Sequence, residues 1–260
     1  MSGDFVWYEL ITSDPKAAID FYSEVIGWKT ERFGEADGVD YKMWLASQGP
    51  LGGVMKLPEI AVQMGAAPHW TSNVTVDDVD ATVKRVKELG GKVYLEPEDT
   101  PTVGRSAIVA DPQGAAISLF KPARIMAPHD ASKHGEFCWS ELATTDHGAA
   151  FAFYSEIFGW QKLGSMDMGP MGSYEIFGKG GRQLGGMFNK PSEMPVAAWL
   201  YYVQVDDLDA AIGRATQHGA RLVNGPMDVP GGRVAQLIDP QGAFFALNTT
   251  VKAEGEPKDE

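Results

Sequence analysis

The feature that most constrains this chain is a stretch it contains twice. Trp7-Tyr8-Glu9-Leu10, Asp14-Pro15 and Phe21-Tyr22-Ser23-Glu24-Val25-Ile26-Gly27-Trp28 return as Trp139-Ser140-Glu141-Leu142, Asp146 and Phe153-Tyr154-Ser155-Glu156-Ile157-Phe158-Gly159-Trp160. Each pair lies 132 positions apart. A repeat of that length is a duplicated domain rather than a solenoid unit, and 260 residues suffice for two domains of ordinary size.

Each copy has the same local grammar. Residues 4–12 read as a strand, Asp14-Pro15 as a helix cap and first helical residue, and Ala18, Phe21, Tyr22, Val25 and Ile26 as a helical stripe that Gly27 closes. Three short strands follow at Lys29–Phe33, Val39–Ala46 and Gly53–Leu57, completing a β-α-β-β-β unit. A second unit starts at Trp70, with Asp77-Asp78 as cap, Val79, Val83, Val86 and Leu89 as stripe, and strands at Lys92–Leu95, Arg105–Ala110 and Ala115–Phe120. Asp111-Pro112-Gln113-Gly114 is the turn between the last two. The second half repeats this order, with Val205-Asp206-Asp207 and Asp239-Pro240-Gln241-Gly242 at matching places. The fold class is therefore α+β: tandem domains over 1–122 and 136–250, a linker over 123–135, and a polar tail, 251–260, expected to be disordered.

A net charge of −13 opposes phosphate backbones and anionic membranes, so neither nucleic acid nor membrane is an expected partner. No apolar run approaches the roughly 18–20 residues of a membrane span. The start of the chain lacks signal-peptide character, and the single cysteine, Cys138, cannot form an intrachain disulfide; both features predict a cytoplasmic protein.

Strand, Asp cap, helix ending in Phe-Tyr-x-x-x-x-Gly-Trp, and closing Asp-Pro-x-Gly hairpin together resemble the vicinal oxygen chelate superfamily, which includes glyoxalase I, extradiol dioxygenases and bleomycin-resistance proteins. Trp-x-Glu-Leu, Val-Asp-Asp and the Gly-Arg before the seventh strand are most similar to a two-domain glyoxalase-like group that includes a mycobacterial antigen and polyketide-cluster hydroxylases. The resemblance implies that each domain curls into an open half-barrel, that paired domains share their cavities, and that metal-dependent members draw ligands from the first, fourth, fifth and eighth strands. Carried onto this chain, those positions fall on Trp7 and Trp139, near Gly53–Met55 and Gly186–Phe188, on Thr71 and Leu200, and on Ser118 and Ala246. None is a good divalent-cation ligand. No two of the five histidines, His69, His129, His134, His147 and His218, have metal spacing. No metal or other cofactor is expected.

Period-2 alternation turns Glu9 and Glu141 to the same face as the tryptophans. A carboxylate there loses solvation, which raises its pKa and suits it to acid–base work; the other reading is a structural glutamate holding the pseudo-symmetric core. Thr71, Asn73, Ser118, Leu200, Tyr202, Gln204, Phe244, Ala246 and Asn248 share the concave face, with Tyr41 and Tyr174 at matching third-strand positions. These describe a mostly apolar cavity for an uncharged or aromatic small molecule. Arg105 and Arg233 read as loop anchors, and the duplicated Phe-Tyr pairs as core.

Asn73 aligns with Tyr202, and Ser118 with Ala246, so the cavities differ and one can be filled by its own side chains. Under domain-sharing, Trp7 and Glu9 are expected to face Leu200, Tyr202 and Ala246. Trp139 and Glu141 then face Thr71, Asn73 and Ser118, which makes the Glu141 cavity the expected working site, between the two domains. The favoured function is a binding protein for a small apolar or aromatic molecule. The alternatives are a metal-independent enzyme using Glu9 or Glu141 as acid or base, and a metal-dependent glyoxalase or dioxygenase, which the missing ligands disfavour. Internal domain pairing predicts a monomer or a weak homodimer.

Overall fold

The computed structural model describes residues 2–33, 41–63 and 65–250. The tail after Thr250 and the expected strand start at Val39 lie outside the described residues. Eight strands make the first sheet: β1 (Phe5–Thr12), β2 (Lys29–Arg32), β3 (Lys42–Ala46), β4 (Gly49–Lys56), β5 (His69–Thr75), β6 (Lys92–Thr100), β7 (Gly104–Ala110) and β8 (Ala116–Pro122). The second contains β9 (Phe137–Thr144), β10 (Gln161–Asp167), β11 (Ser173–Lys179), β12 (Arg182–Asn189), β13 (Ala198–Gln204), β14 (Arg221–Val229), β15 (Gly232–Ile238) and β16 (Phe244–Thr250). The first runs β2-β3-β4-β1-β5-β8-β7-β6 and the second repeats that order as β10-β11-β12-β9-β13-β16-β15-β14. In each half the two β-α-β-β-β units meet along an antiparallel seam, β1 with β5 and β9 with β13. The chain is thus two tandem α+β half-barrels, as the repeat predicted.

The helices are α1 (Pro15–Val25), α2 (Glu59–Gln63), α3 (Val79–Glu88), α4 (His147–Phe158) and α5 (Leu208–Gln217). Asp14, Asp78, Asp146 and Asp207 each accept a backbone N–H three residues ahead, so the four unit helices share one capping device. Sequence periodicity missed α2, whose five residues carry no buried stripe, with Ile60 and Val62 exposed. The linker is tied down: His134 Nε2 lies 2.7 Å from the Ile26 carbonyl, and Gln48 bonds Asp130 in both directions. Among the described residues, no helix is long and apolar enough to cross a membrane.

The domains interlock through one face of each sheet, and the contacts are reciprocal. Tyr8 of β1 stacks on Phe137 of β9 with centroids 3.8 Å apart. The Ser72 hydroxyl of β5 donates to Tyr201 Oη of β13 at 2.9 Å. Trp28 donates its indole N–H to the carbonyl of Gly135, just before the second domain's first strand. Trp160 does the same to Gly3, just before the first domain's. Gly3 and Gly135 both have left-handed φ, 84° and 81°, and a Cβ on Gly3 would lie 2.5 Å from the Phe158 carbonyl. Helix α1 reaches across the interface: Phe21 packs on Phe245 of β16, and Tyr22 Oη donates to Asp239 Oδ2 at 3.1 Å while accepting from Trp70. In the mirrored contact, Tyr154 of α4 sits against the first domain's turn, 3.4 Å from the Ala115 carbonyl. Phe21, Tyr22, Phe153 and Tyr154 are all buried, as core residues must be.

The duplicated Asp-Pro-Gln-Gly turns therefore fold their own hairpins and receive the other domain's helix. Asp111 Oδ1 accepts the Gln113 and Ala115 N–H groups, and Asp239 Oδ1 accepts those of Gln241, Gly242 and Ala243. Tyr22→Phe removes a donor from a buried carboxylate and an acceptor from the Trp70 indole. It should cost about 1–3 kcal/mol in urea unfolding, and a loss below about 0.5 kcal/mol would mean that this bond does not hold the domains.

Candidate functional site

Strands alternate their side chains, so with Tyr8, Leu10 and Ser72 facing the partner domain, Trp7, Glu9, Thr71 and Asn73 face the other way. Register fixes the rest of that face. Glu9 sits between Gly53 of β4 and Thr71 of β5; Trp7 pairs with Asn73, and Asn73 with Ser118 of β8. In the second domain Glu141 sits between Gly186 of β12 and Leu200 of β13, Trp139 pairs with Tyr202, and Tyr202 with Ala246 of β16. The four central strands of one sheet thus bring together the predicted residues of one domain.

The expected pairing across domains is contradicted. Glu141 bonds Tyr202 of its own half-barrel, not Thr71, Asn73 or Ser118, which lie on the Glu9 sheet. The reason is that each half already joins its two β-α-β-β-β units through its own seam, leaving the domain interface to the opposite faces. A separate cleft of about 370 Å³ does lie between the domains, lined by Tyr8, Glu136, Phe137 and Trp139 among others, but neither Glu9 nor Glu141 reaches it.

Each glutamate ends a short chain of hydrogen bonds. In the first domain Trp7 Nε1–H donates to Tyr41 Oη at 2.8 Å, and Tyr41 donates to Glu9 Oε1 at 2.8 Å. In the second, Trp139 donates to Tyr174 Oη at 2.8 Å, and Tyr174 donates to Glu141 Oε2 at 3.0 Å. Glycine makes this geometry accessible. A Cβ on Gly53 would lie 2.0 Å from Tyr41 Oη, and one on Gly186 2.0 Å from the Tyr174 ring. The tyrosine ring crosses the fourth strand where a side chain would otherwise stand. Among the described residues the glutamates thus take neither an arginine nor a backbone amide; each holds a tyrosine.

Burial pushes both glutamates above the ordinary carboxylate range, and the hydrogen bonds from Tyr41 and Trp7 to Glu9, and from Tyr174 and Tyr202 to Glu141, only partly offset it. Burial, reinforced by the adjacent carboxylate, pushes the three phenols up as well, so they remain donors. Cys138, bonded weakly to the Tyr202 carbonyl, has its thiol pushed up to about 12 by burial and is no nucleophile.

Beyond this shared core the half-barrels differ. Glu141 accepts two further bonds on Oε1, from Tyr202 Oη at 3.0 Å and Gln236 Nε2 at 3.3 Å, and Gln236 also donates to Tyr202 Oη at 2.8 Å. Tyr202, Val234 and Ala246 form a buried cluster against Trp139, Leu200 and Met227. The register-equivalent positions in the first domain are Asn73, Ser106 and Ser118, and no such cluster forms there among the described residues. Glu9 takes the Tyr41 bond and has the Trp7 indole beside it as a second donor, without a counterpart of Tyr202 or Gln236 among the described residues, and it is less buried than Glu141. Thr71, Asn73 and Trp7 beside it are half-buried. Phe244, expected on the concave face, is half exposed at the start of β16. Sequence reasoning missed Gln236; counting by twos from Arg233 along β15 does not reach it, since it lies on the opposite parity. Arg105 anchors Asp80 and Asp99, and Arg233 anchors Asp209, as read.

The concave faces do not fit a divalent cation. At the four strands that supply the superfamily's ligands stand an indole, a glycine, threonine or leucine, and serine or alanine, and Tyr41 and Tyr174 lie over the glycines. Among the described residues no group of three or more His, Cys, Asp or Glu side chains could hold a metal.

Two tandem half-barrels of this topology define a glyoxalase-type protein. The chain belongs to the Glyoxalase/Bleomycin resistance protein/Dioxygenase superfamily, whose model matches residues 4–119 and 137–247. It is 32% identical over 243 residues to a putative glyoxylase, CFP32, of Mycobacterium bovis, covering 93% of this chain and 92% of that one. It is 30% identical over 259 residues to the anthracycline biosynthesis protein DauV of Streptomyces sp. strain C5, covering 93% and 91%. Among solved structures, the Mn(II)-bound glyoxalase of Novosphingobium aromaticivorans shares the fold with a TM-score of 0.63 and 16% identity over 96% of this chain and 83% of that one. A variant of homoprotocatechuate 2,3-dioxygenase from B. fuscum does so with a TM-score of 0.65 and 16% identity, covering 100% and 75%.

The raised carboxyl of Glu141 has a signed consequence. A folded-state pKa above the unfolded value means that the native state holds the proton longer, so this stability is present at low pH and lost as pH rises through the folded value. Glu141→Gln removes that titration. The stability of wild type relative to the variant should therefore fall as pH rises from about 4.5 toward neutral, with a slope of up to about 1.4 kcal/mol per pH unit. Urea unfolding at several pH values reads it; a difference that grows with pH would contradict the account.

Proposed function

We propose that this chain binds a small, mostly apolar or aromatic molecule on the concave face of the first half-barrel, without the superfamily's metal. The observation that carries the reading is the asymmetry between the two glutamates. Glu141 is held by Tyr174, Tyr202 and Gln236, whereas Glu9 has only Tyr41 and the neighbouring Trp7 indole as described donors and pairs with Thr71 on a strand that also carries Asn73. The polarity that pointed to the Glu141 cavity belongs to Glu9 once the strands are paired within each domain. Trp7, Tyr41 and Phe120 supply aromatic walls, and the polar groups fix orientation. Relatives named for glyoxylase activity and anthracycline biosynthesis, similar over nearly their whole length, support a small organic ligand. We assign the protein to the cytoplasm, acting alone or as a weak homodimer, with neither nucleic acid nor membrane as partner.

A second reading shares the site. Glu9, raised above the usual range, can take a proton from a bound molecule or return one, which makes it the candidate general base of a metal-independent enzyme. The two readings part at one substitution. For a binder, titration of 1-naphthol followed by its fluorescence should show Glu9→Gln weakening affinity several-fold and Glu141→Gln leaving it within about twofold. For a proton-transfer enzyme, turnover of its substrate should fall roughly 10²–10⁴-fold in Glu9→Gln. Equal effects from the two substitutions would mean equivalent sites and overturn the assignment to the first half-barrel.

A further inference from the structure

The second half-barrel carries a phenol where the first carries the shorter amide of Asn73. Tyr202 pairs with Trp139 across the seam, and its phenol lies on Glu141 Oε1 at 3.0 Å. At the equivalent place in the first domain, Asn73 pairs with Trp7, and the described donors to Glu9 are Tyr41 and the Trp7 indole, with no phenol in the place of Tyr202. The rest of the frame is kept: the same Trp-Tyr-Glu chain of bonds, the same glycine beneath the tyrosine, and the same strand neighbours. Asparagine's side chain ends far short of a phenol ring, so the exchange removes the ring and its hydroxyl and leaves the carboxylate. Val234 and Ala246, which flank Tyr202, are replaced by Ser106 and Ser118, while Gln236 and Asn248 are replaced by Ile108 and Phe120, so polar and apolar groups change places around the site.

From this we propose that the first half-barrel takes a phenolic ligand, seated as Tyr202 is seated in the second, with its hydroxyl donating to Glu9. Tyr202 is then an internal copy of the ligand, and the duplicated domain displays in one half what the other half binds. This rests on the proposed function and narrows it from apolar or aromatic molecules to hydroxylated aromatic ones. The chemistry follows from what each group offers. Tyr41 already gives its only proton to Glu9, so the remaining capacity of Glu9 is to accept. A ligand without a donor would leave a buried, acceptor-only carboxylate short of a partner, which is costly. The Asn73 amide can hold a further oxygen on the ring, and Ser118, whose hydroxyl already donates to the Ala107 carbonyl, can only accept, so a ligand with a second polar substituent fits better than a bare phenol.

The test uses 4-methylphenol, the tyrosine side chain itself, with toluene as the analogue lacking the hydroxyl. Binding to the full chain is followed by amide chemical-shift changes, which report both affinity and position. Wild type should bind one molecule of 4-methylphenol at the β1–β5 seam, at least tenfold more tightly than toluene. Asn73→Tyr should fill the site from within and abolish that binding. Tyr202→Asn should open a second site at the β9–β13 seam and raise the stoichiometry to two. If Asn73→Tyr fails to fold, the Tyr202→Asn arm and the hydroxyl comparison still decide. Toluene binding as tightly as 4-methylphenol would overturn the phenolic assignment and leave the cavity reading intact; neither molecule nor 1-naphthol binding would overturn both. Binding that survives in a folded Asn73→Tyr, or no second site in a folded Tyr202→Asn, would also overturn the proposal.

Discussion

Everything in this molecule depends on how the two sheets dispose of one face each. A sheet of this size is stable only with an apolar face covered, and each covers the other's, helped by helices that cross the boundary. Tyr22 reaching Asp239, Trp28 reaching Gly135 and Trp160 reaching Gly3 make the arrangement reciprocal. Arg214 of α5 adds to it by donating to the last carbonyls of α1, where a cation also suits the helix dipole. Because the interface consumes the face that carries Tyr8, Leu10 and Ser72, Trp7 and Glu9 are left on the opposite, concave face, and each domain has its own.

Duplication then lets the copies diverge without endangering the fold. The Trp-Tyr-Glu chain and its glycine are retained in both halves, which explains why both glutamates persist: each holds a tyrosine across the fourth strand. What differs is the filling. Tyr202, Val234 and Ala246 fill one half-barrel with carbon and a phenol, while the other has Asn73, Ser106 and Ser118 at those places and Ile108 in place of Gln236. One half is packed by its own side chains, and the proposed ligand site lies in the other.

Most of the fold was legible because the repeat is read twice. Helix caps at Asp14, Asp78, Asp146 and Asp207, the Gly-Trp ends and the hairpin turns are local chemistry, and local chemistry is written in adjacent residues. The concave residues were legible too, since strand alternation assigns them once one is known. What stayed hidden was pairing. Nothing local in Glu141 says whether Tyr202 or Asn73 stands beside it; that depends on which units share a seam, a long-range choice. The role of Gly53 and Gly186 was hidden for a related reason, because a missing Cβ acquires meaning only when Tyr41 and Tyr174 lie over it. The α2 helix and Gln236 lacked a periodic signal of their own.

The central claim is that the two carboxylates, alike in sequence, live in an open and a closed half-barrel. Carbon-13 labelling of the glutamate side-chain carboxyls, with Glu9 and Glu141 assigned by substitution, measures this directly. Addition of a hydroxylated aromatic such as 1-naphthol should shift the Glu9 carboxyl resonance and its titration while leaving those of Glu141 in place. A ligand-induced shift at Glu141 alone, or equally at both, would contradict the account.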